Sequence, residues 1–442
     1  MALPVLIGMT AQMLLNIVDG IYVGRLGQAQ SMAVLNYGFP VFYLLFALFN
    51  GLSIGTNSTL ARYIGAKQEA KAENALAQIL WLCLGIFAVV VVLYPLAMPR
   101  YLDFLKSNAE TSRLTHQFLT FLFLGMPFML VTLSLGAGLR AEGNMRTLAM
   151  AQMLAVLVNI LLAPFFIFDG FRALGLPLHG LGWGVKGAGL ASAVANAFAA
   201  LLIVQPYLAK KTHLRWIKKP TWETFEGVTA IFKVGIPSSI SQILIGLNWI
   251  LMTRLAANFG DSAVAAIGIG GRLDLLSVFP ALAVMTAVLT MVGQNFGARK
   301  FDRVRATVRT GLLMVFTGLT AVSLLVFWTK HAIIGSFHQD AKTHDSALHY
   351  LSVQCLGYGL VGINIVCSGA FQGLGRGLPF LLLTTMRLLA IALPAAYFLS
   401  LHMGEYGLHY APILASFVTA VLALTWIFTT VNGLERKAPP LA

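Results

Sequence analysis

Twelve apolar stretches follow one another along the chain, each near the twenty residues that carry a helix across a bilayer. They cover 3–24, 34–60, 75–98, 116–138, 147–168, 184–207, 234–257, 263–293, 308–329, 346–370, 378–400 and 409–431. Little chain is left between them, so no sizeable domain outside the bilayer is expected. Only 10% of the residues are charged, against about 25% in a soluble domain. Such a chain cannot dress a water-facing surface, which excludes a soluble enzyme, a disulfide scaffold and a disordered protein. In lipid every backbone polar group must be satisfied within the structure, which leaves helices or a closed barrel. A barrel needs alternating ten-residue segments, and these are absent. The expected fold class is an all-α membrane protein of twelve transmembrane helices. No basic segment with a cleavage site precedes the first stretch, so a removed signal peptide is not expected.

The formal net charge is +14, which could suggest a nucleic-acid partner, but its distribution reads as topology. When each Lys and Arg at or beyond a span end is counted with the loop it adjoins, 19 fall on one side and nine on the other. The richer side holds the loops after even-numbered spans, so the positive-inside rule puts both termini in the cytoplasm and the chain in the inner (cytoplasmic) membrane. No nucleic-acid binding is expected. Cys83, Cys355 and Cys367 fall in spans without metal or redox spacing and read as small buried hydrophobes.

An internal repeat recurs at an offset of 232 residues. Tyr63-Ile64-Gly65-Ala66 aligns with Asn295-Phe296-Gly297-Ala298, and Glu142-Gly143 falls on Leu374-Gly375. Six spans per half is an even number, so both halves enter the membrane from the same side and the repeats are parallel. The expected organisation is a six-helix N-terminal lobe over 1–207, a cytoplasmic linker over 208–233 and a six-helix C-terminal lobe over 234–442. The linker carries Lys210, Lys211, Lys218 and Lys219. Two such lobes typify alternating-access carriers.

Polar residues inside spans are costly enough to need a reason, about 2.5–3.5 kcal/mol for an ionised group at mid-bilayer. Asp19 is the single acid of span 1, and Gln12, Asn16 and Asp19 form one stripe at i, i+4 and i+7. Pairing with Arg25 at the membrane surface is the alternative reading. Burial favours the neutral form of a carboxylate, so such a group can take up and release a proton. Span 5 carries Gln152 and Asn159, span 6 carries Ser192 and Asn196, and span 2 carries Asn50, Ser53 and Asn57. Each alone reads as helix–helix glue, but their concentration beside Asp19 points to one hydrated cavity. Asp19, Asn16, Asn159, Asn196 and Ser192 are the candidate ion-coupling set. Gln12, Tyr37, Gln152 and Asn57 are candidate residues lining the substrate path.

The second half has its own charges, Arg272, Asp274 and Arg387. Asp274 and Arg387 lie at similar depth, about 13–16 Å from their entry faces at 1.5 Å per residue. This predicts a structural ion pair, with a gate or relay as the alternative. Gly268-Ile269-Gly270-Gly271 lies within a span and predicts close helix packing rather than nucleotide binding. The nine histidines show no zinc spacing, and HExxH and Walker A motifs are absent. Neither enzymatic activity nor a cofactor or metal is expected.

Taken together, several motifs resemble the multidrug and toxic compound extrusion (MATE) transporters. They are Pro4 with Asp19-Gly20 and Val23-Gly24-Arg25-Leu26-Gly27, then Leu139-Arg140-Ala141-Glu142-Gly143-Asn144, and Val292-Gly293-Gln294-Asn295-Phe296-Gly297-Ala298. The resemblance covers nearly the whole chain. It implies two six-helix lobes in a V and export of organic cations by antiport with protons or sodium. It also implies that ion coupling here follows the N-lobe branch, through Asp19 and Asn159, because spans 7 and 10 offer Gln242, Asn248 and Asn364 but no acid. The second acid of that branch is replaced by Ala163, leaving one intramembrane carboxylate in the lobe. The expected function is proton-coupled multidrug efflux switched by Asp19, from a monomer in the lipid bilayer. Sodium coupling or flipping of a lipid-linked precursor is the alternative.

Overall fold

The computed structural model describes the whole chain except residues 27–28, 106–107, 171–178, 216–219, 338–339 and 435–442, and except the side chains of 12–17, 19–20, 24 and 29–33. Twelve long helices run through the described residues: α1 (Ala2–Gly24), α2 (Ala29–Gly65), α3 (Glu69–Phe104), α4 (Ala109–Glu142), α5 (Met145–Ile167), α6 (Val185–Leu208), α7 (Glu226–Ala256), α8 (Asp261–Gly297), α9 (Phe301–Gly335), α10 (Ala341–Gly373), α11 (Leu378–Met403) and α12 (Glu405–Asn432). Eleven of them, α2 to α12, are apolar enough over their described lengths to cross a membrane. Among the described residues there is no β-strand, only an isolated bridge between Gly170 and His179.

Most helices outrun their apolar stretches because apolarity marks the hydrocarbon slab, whereas capping sets where a helix ends. The Asn108 side chain accepts the Thr111 N–H at 2.7 Å to start α4, and Asn144 accepts that of Thr147 at 3.3 Å to start α5. Asp340 starts α10 by accepting from the Thr343 hydroxyl at 2.7 Å and from its N–H at 3.1 Å. Those bonds hold its carboxyl below the usual carboxylate range. At the other end, α4 stops at Gly143 with φ 88°, a left-handed conformation that glycine adopts without strain. Gly375, at the repeat-equivalent position just past α10, has φ 79°.

The chain divides into two compact units, one of Leu3–Leu60 and Glu69–Thr229, the other of Met1–Ala2, Ala61–Gln68 and Ala230–Ala442. In the first, α4 and α6 pack so closely that a Cβ on Gly125 would lie 2.7 Å from the Ala193 Cα. The Tyr207 hydroxyl donates to the Leu135 carbonyl at 2.8 Å. Arg140 donates from α4 to the Ser53 hydroxyl of α2 at 2.6 Å, and Ser53 donates to the Leu133 carbonyl at 2.7 Å. The connection to α7 is stitched to its own unit: the Leu214 N–H bonds Glu142 and the Arg215 N–H bonds Glu73, each at 2.8 Å. Gln78 on α3 donates to the carbonyls of Thr221 and Thr224, and Lys71 pairs with Glu226 at 3.1 Å. Helix α7 begins at Glu226, earlier than apolarity alone marks, with that acid in its first turn where the helix dipole favours it.

In the second unit α10 is the central helix, with Leu351, Cys355, Val366 and Phe371 all at 0% exposure in the main cluster. That cluster also takes Val288 and Val292 from α8, Val308 and Val315 from α9, and Ile427 from α12. The end of α2 crosses the end of α8 in this unit. A Cβ on Gly65 would lie 2.0 Å from the Gln294 carbonyl oxygen, and one on Gly297 would lie 2.0 Å from that of Arg62. These two contacts exchange under the 232-residue repeat, so the sequence duplication is expressed as a symmetric backbone crossing. Helix α11 carries a π-helical segment, Met386–Ala392, immediately before Pro394. Proline cannot donate to the preceding turn and its ring displaces that turn's carbonyl, which a wider π turn accommodates.

Candidate functional site

Polar side chains of the first unit meet where α5 packs on α6 and α1. Asn159 on α5 is fully buried and its amide donates to the Ser192 hydroxyl of α6 at 3.4 Å. Seven residues earlier on α5, Gln152 faces α1: a Cβ on Gly8 would lie 2.6 Å from its side-chain oxygen. Near the other end of α1 the Tyr22 hydroxyl donates to the Ile160 carbonyl at 3.4 Å. Contacts to Gln152 and to the residue after Asn159 therefore bracket the middle of α1. The side chains of Gln12, Asn16 and Asp19 lie outside the described residues. Asn196 is half-buried on α6, and Asn57 is buried on α2 at 2% exposure. Tyr37 is half-buried and its carbonyl accepts the Tyr101 hydroxyl at 3.0 Å, tying α2 to α3. The structure thus brings Asn159 and Ser192 together and gives Gln152 a separate contact.

The second unit holds a cavity of about 190 Å³ among α7, α8, α10, α11 and α12. Asp274 lines it, with both carboxylate oxygens engaged. The Tyr350 hydroxyl donates to one at 2.8 Å and the Tyr358 hydroxyl to the other at 3.2 Å. Arg387 lines the same cavity and, among the described residues, makes no hydrogen bond or ion pair. The ion pair expected between Asp274 and Arg387 is therefore not formed. Two tyrosines of α10 already satisfy the carboxylate, and Arg387 sits on the π segment, whose wider turn departs from the regular helix behind the depth estimate. Nor does Arg272 join them, because it is exposed and lies two residues from Asp274, on another face of α8. Close packing does account for part of the glycine-rich run. A Cβ on Gly270 would strike the Tyr350 ring at 2.1 Å, and one on Gly271 would strike the Trp249 ring at 1.8 Å. Those glycines let two walls of the cavity approach α8.

Sequence reasoning missed both tyrosines and a histidine pair. His349 on α10 and His409 on α12 stand with their Nδ1 atoms 2.9 Å apart. They are 60 residues apart in the chain, so spacing motifs could not detect them, although a histidine inside a span is itself a signal. Among the described residues no group of three or more metal-ligating side chains occurs.

A helical bundle with buried amides in one unit and a carboxylate-lined cavity in the other defines a membrane carrier in outline. Comparison gives the family. The MatE family matches twice, over residues 4–165 and 237–398, a shift of 233 residues and so within one residue of the 232-residue repeat. The chain belongs to the MatE family, a family of membrane transporters, and is not an enzyme. It is 25% identical over 432 residues to the multidrug export protein MepA of Staphylococcus aureus (strain MSSA476), covering 97% of this chain and 92% of that one. The MepA of Staphylococcus saprophyticus is 24% identical over the same coverage. Among solved structures, an outward-facing multidrug resistance MATE family transporter of the MOP superfamily superposes with a TM-score of 0.91 at 25% identity, covering 99% of this chain and 95% of that one. A MOP superfamily transporter from Pyrococcus furiosus gives 0.90 at 24% identity, covering 98% and 95%, and supports the fold.

Proposed function

We propose that this transporter exports organic cations across the cytoplasmic membrane in exchange for protons, with Asp19 as the group whose protonation switches the N-terminal lobe. On this reading the lobes are residues 1–207 and 234–442, joined through 208–233, both termini are cytoplasmic and the monomer is the working unit. The multidrug export named for the MepA relatives supports export of drugs as the role, and the cationic class is what the family resemblance implies. The observation that carries the coupling site is the bracketing of α1 against α5. Gly8 meets Gln152, Tyr22 meets Ile160, and between them α1 is continuously helical. At 100° per residue, positions 12 and 19 fall within about 40° of Gly8 around the helix, and position 16 within about 80°. Buried Asn159 and half-buried Ser192, hydrogen-bonded to each other, supply polar groups on α5 and α6. Ala163, fully buried where a second acid would stand, limits this site to one carboxylate and so to one proton.

Coupling requires that the proton stabilise one conformation more than the other. Purified protein in liposomes, tested with a fluorescent organic cation, should show efflux driven by an imposed proton gradient and unaffected by a sodium gradient. Asp19→Asn should lose the driven flux yet keep substrate binding. Driven flux that persists in Asp19→Asn, or that requires sodium, overturns the reading.

A further inference from the structure

The His349–His409 pair lies beside the Asp274 cavity, where α12 begins. His409 is 1% exposed, whereas His349 is half-buried. Their Nδ1 atoms at 2.9 Å must share one proton, because two lone pairs or two N–H groups cannot face each other at that distance. The pair is therefore fixed in tautomer: one ring donates through Nδ1 and the other accepts. The far nitrogen of His409, Nε2, is buried with no partner among the described residues. An orphaned polar atom of this kind needs an explanation.

The surroundings lead inward. The Tyr350 ring lies edge-on to His409, 5.2 Å between centroids, and the Tyr350 hydroxyl donates to Asp274. Gln354 donates to the His409 carbonyl at 3.2 Å and fixes that turn of α12 against α10. From α12, the Tyr406 ring lies tilted against His349 at 4.1 Å between centroids, Tyr410 meets the same ring edge-on at 5.6 Å, and Glu405 stands one turn before His409. Helix α8 contributes Asp274 and α11 contributes Arg387 to the lining of the cavity. A shared zinc ion does not fit, since two nitrogens on a tetrahedral zinc stand about 3.3 Å apart at bond lengths of about 2.0–2.1 Å.

We propose that His349 and His409 form a metered one-proton relay between the membrane face where α12 begins and the Asp274 cavity. The proton enters on Nε2 of His349. The proton already on His349 Nδ1 then crosses to Nδ1 of His409, and His409 releases its own Nε2 proton inward. Because Nε2 has no polar partner among the described residues in this conformation, passage on to the Asp274 carboxylate requires a water or a helix shift that brings the two within reach. One proton has entered and one has left, both rings are neutral again, and their tautomers are exchanged. In that exchanged state His409 donates to His349, so a second proton cannot follow in the same direction until one returns. The pair thus moves a proton in and later out, as an exchange cycle needs, and does not leak protons down a gradient. This site is separate from Asp19, and either can fail without the other.

Titration of the full-length protein in detergent, with ¹⁵N-labelled histidine followed by NMR, tests the relay directly. Signals of His349 and His409, assigned by His349→Gln and His409→Gln, should move together at one midpoint with uptake of a single proton. In His349→Gln the His409 signal should stop moving over the pH range, about 5 to 8, in which histidine ordinarily titrates. Two independent midpoints with two protons bound, or an unchanged His409 titration in His349→Gln, overturns the proposal. In liposomes both glutamine variants should lose the dependence of efflux rate on pH at the α12-start face, with substrate affinity unchanged and thermal stability close to wild type. An unchanged pH profile in both variants rejects the transport role. Failure of the Asp19 reading would appear separately, as proton-driven flux that survives Asp19→Asn.

Discussion

The crossing of α2 and α8 makes a demanding test of the packing. An alanine at Gly297 would place its methyl 2.0 Å from the Arg62 carbonyl oxygen, 2.9 Å from its carbonyl carbon and 3.0 Å from the Ala66 nitrogen. All three are backbone atoms, so no rotamer change relieves the clash. Ordinary contact begins at 3.4 Å, and the helices would have to part by about 1.4 Å along that direction. Overpacking typically costs 1–3 kcal/mol when neighbours can shift, and a backbone-to-backbone clash puts Gly297→Ala near the upper end, about 3 kcal/mol. Gly65→Ala meets the Gln294 backbone at the same 2.0 Å and should cost the same. Because both methyls sit in one crossing, parting the helices for the first opens room for the second. The double variant should therefore fall short of additivity by about 1 kcal/mol or more. Gly8→Ala is the control: its methyl meets the tip of the flexible Gln152 side chain at 2.6 Å and should cost less than about 1 kcal/mol. Equilibrium unfolding in mixed detergent micelles reads all four variants. Neutral single substitutions, or strict additivity in the double, would refute the close-crossing argument.

Two further substitutions probe how the helices are tied and ended. Arg140→Ala removes the charged hydrogen bond to Ser53 that joins α4 to α2 and should cost about 1.5–3 kcal/mol by the same unfolding assay. A double-mutant cycle with Ser53→Ala should recover most of that energy as coupling. Gly143→Ala forces a side chain into a left-handed conformation, for about 1–2 kcal/mol. Gly375→Ala should cost more, since its methyl would also lie 2.6 Å from the Arg62 guanidinium; equal losses for the two would count against that second contact.

What the sequence determined by itself is the part set by local chemistry and by duplication. Twenty apolar residues cannot remain in water and cannot leave backbone groups unpaired in lipid, so twelve helices follow from composition along the chain. The 232-residue repeat reappears as left-handed turns at Gly143 and Gly375 and as reciprocal close contacts at Gly65 and Gly297, because equivalent sequence imposes equivalent backbone. What tertiary structure alone decided is which polar groups meet. Depth along two helices made Asp274 and Arg387 look like partners, but pairing depends on which faces the bundle turns together. Tyr350 and Tyr358 reach the carboxylate instead, while the π segment before Pro394 carries Arg387. The Asn159–Ser192 contact joins two helices that the sequence had already singled out, whereas His349 and His409 become neighbours only once α12 packs on α10. Apolar periodicity is a property of one helix and its solvent, so a sequence displays it. A hydrogen bond between helices 60 residues apart is a property of their packing, and it exists only when the bundle has closed.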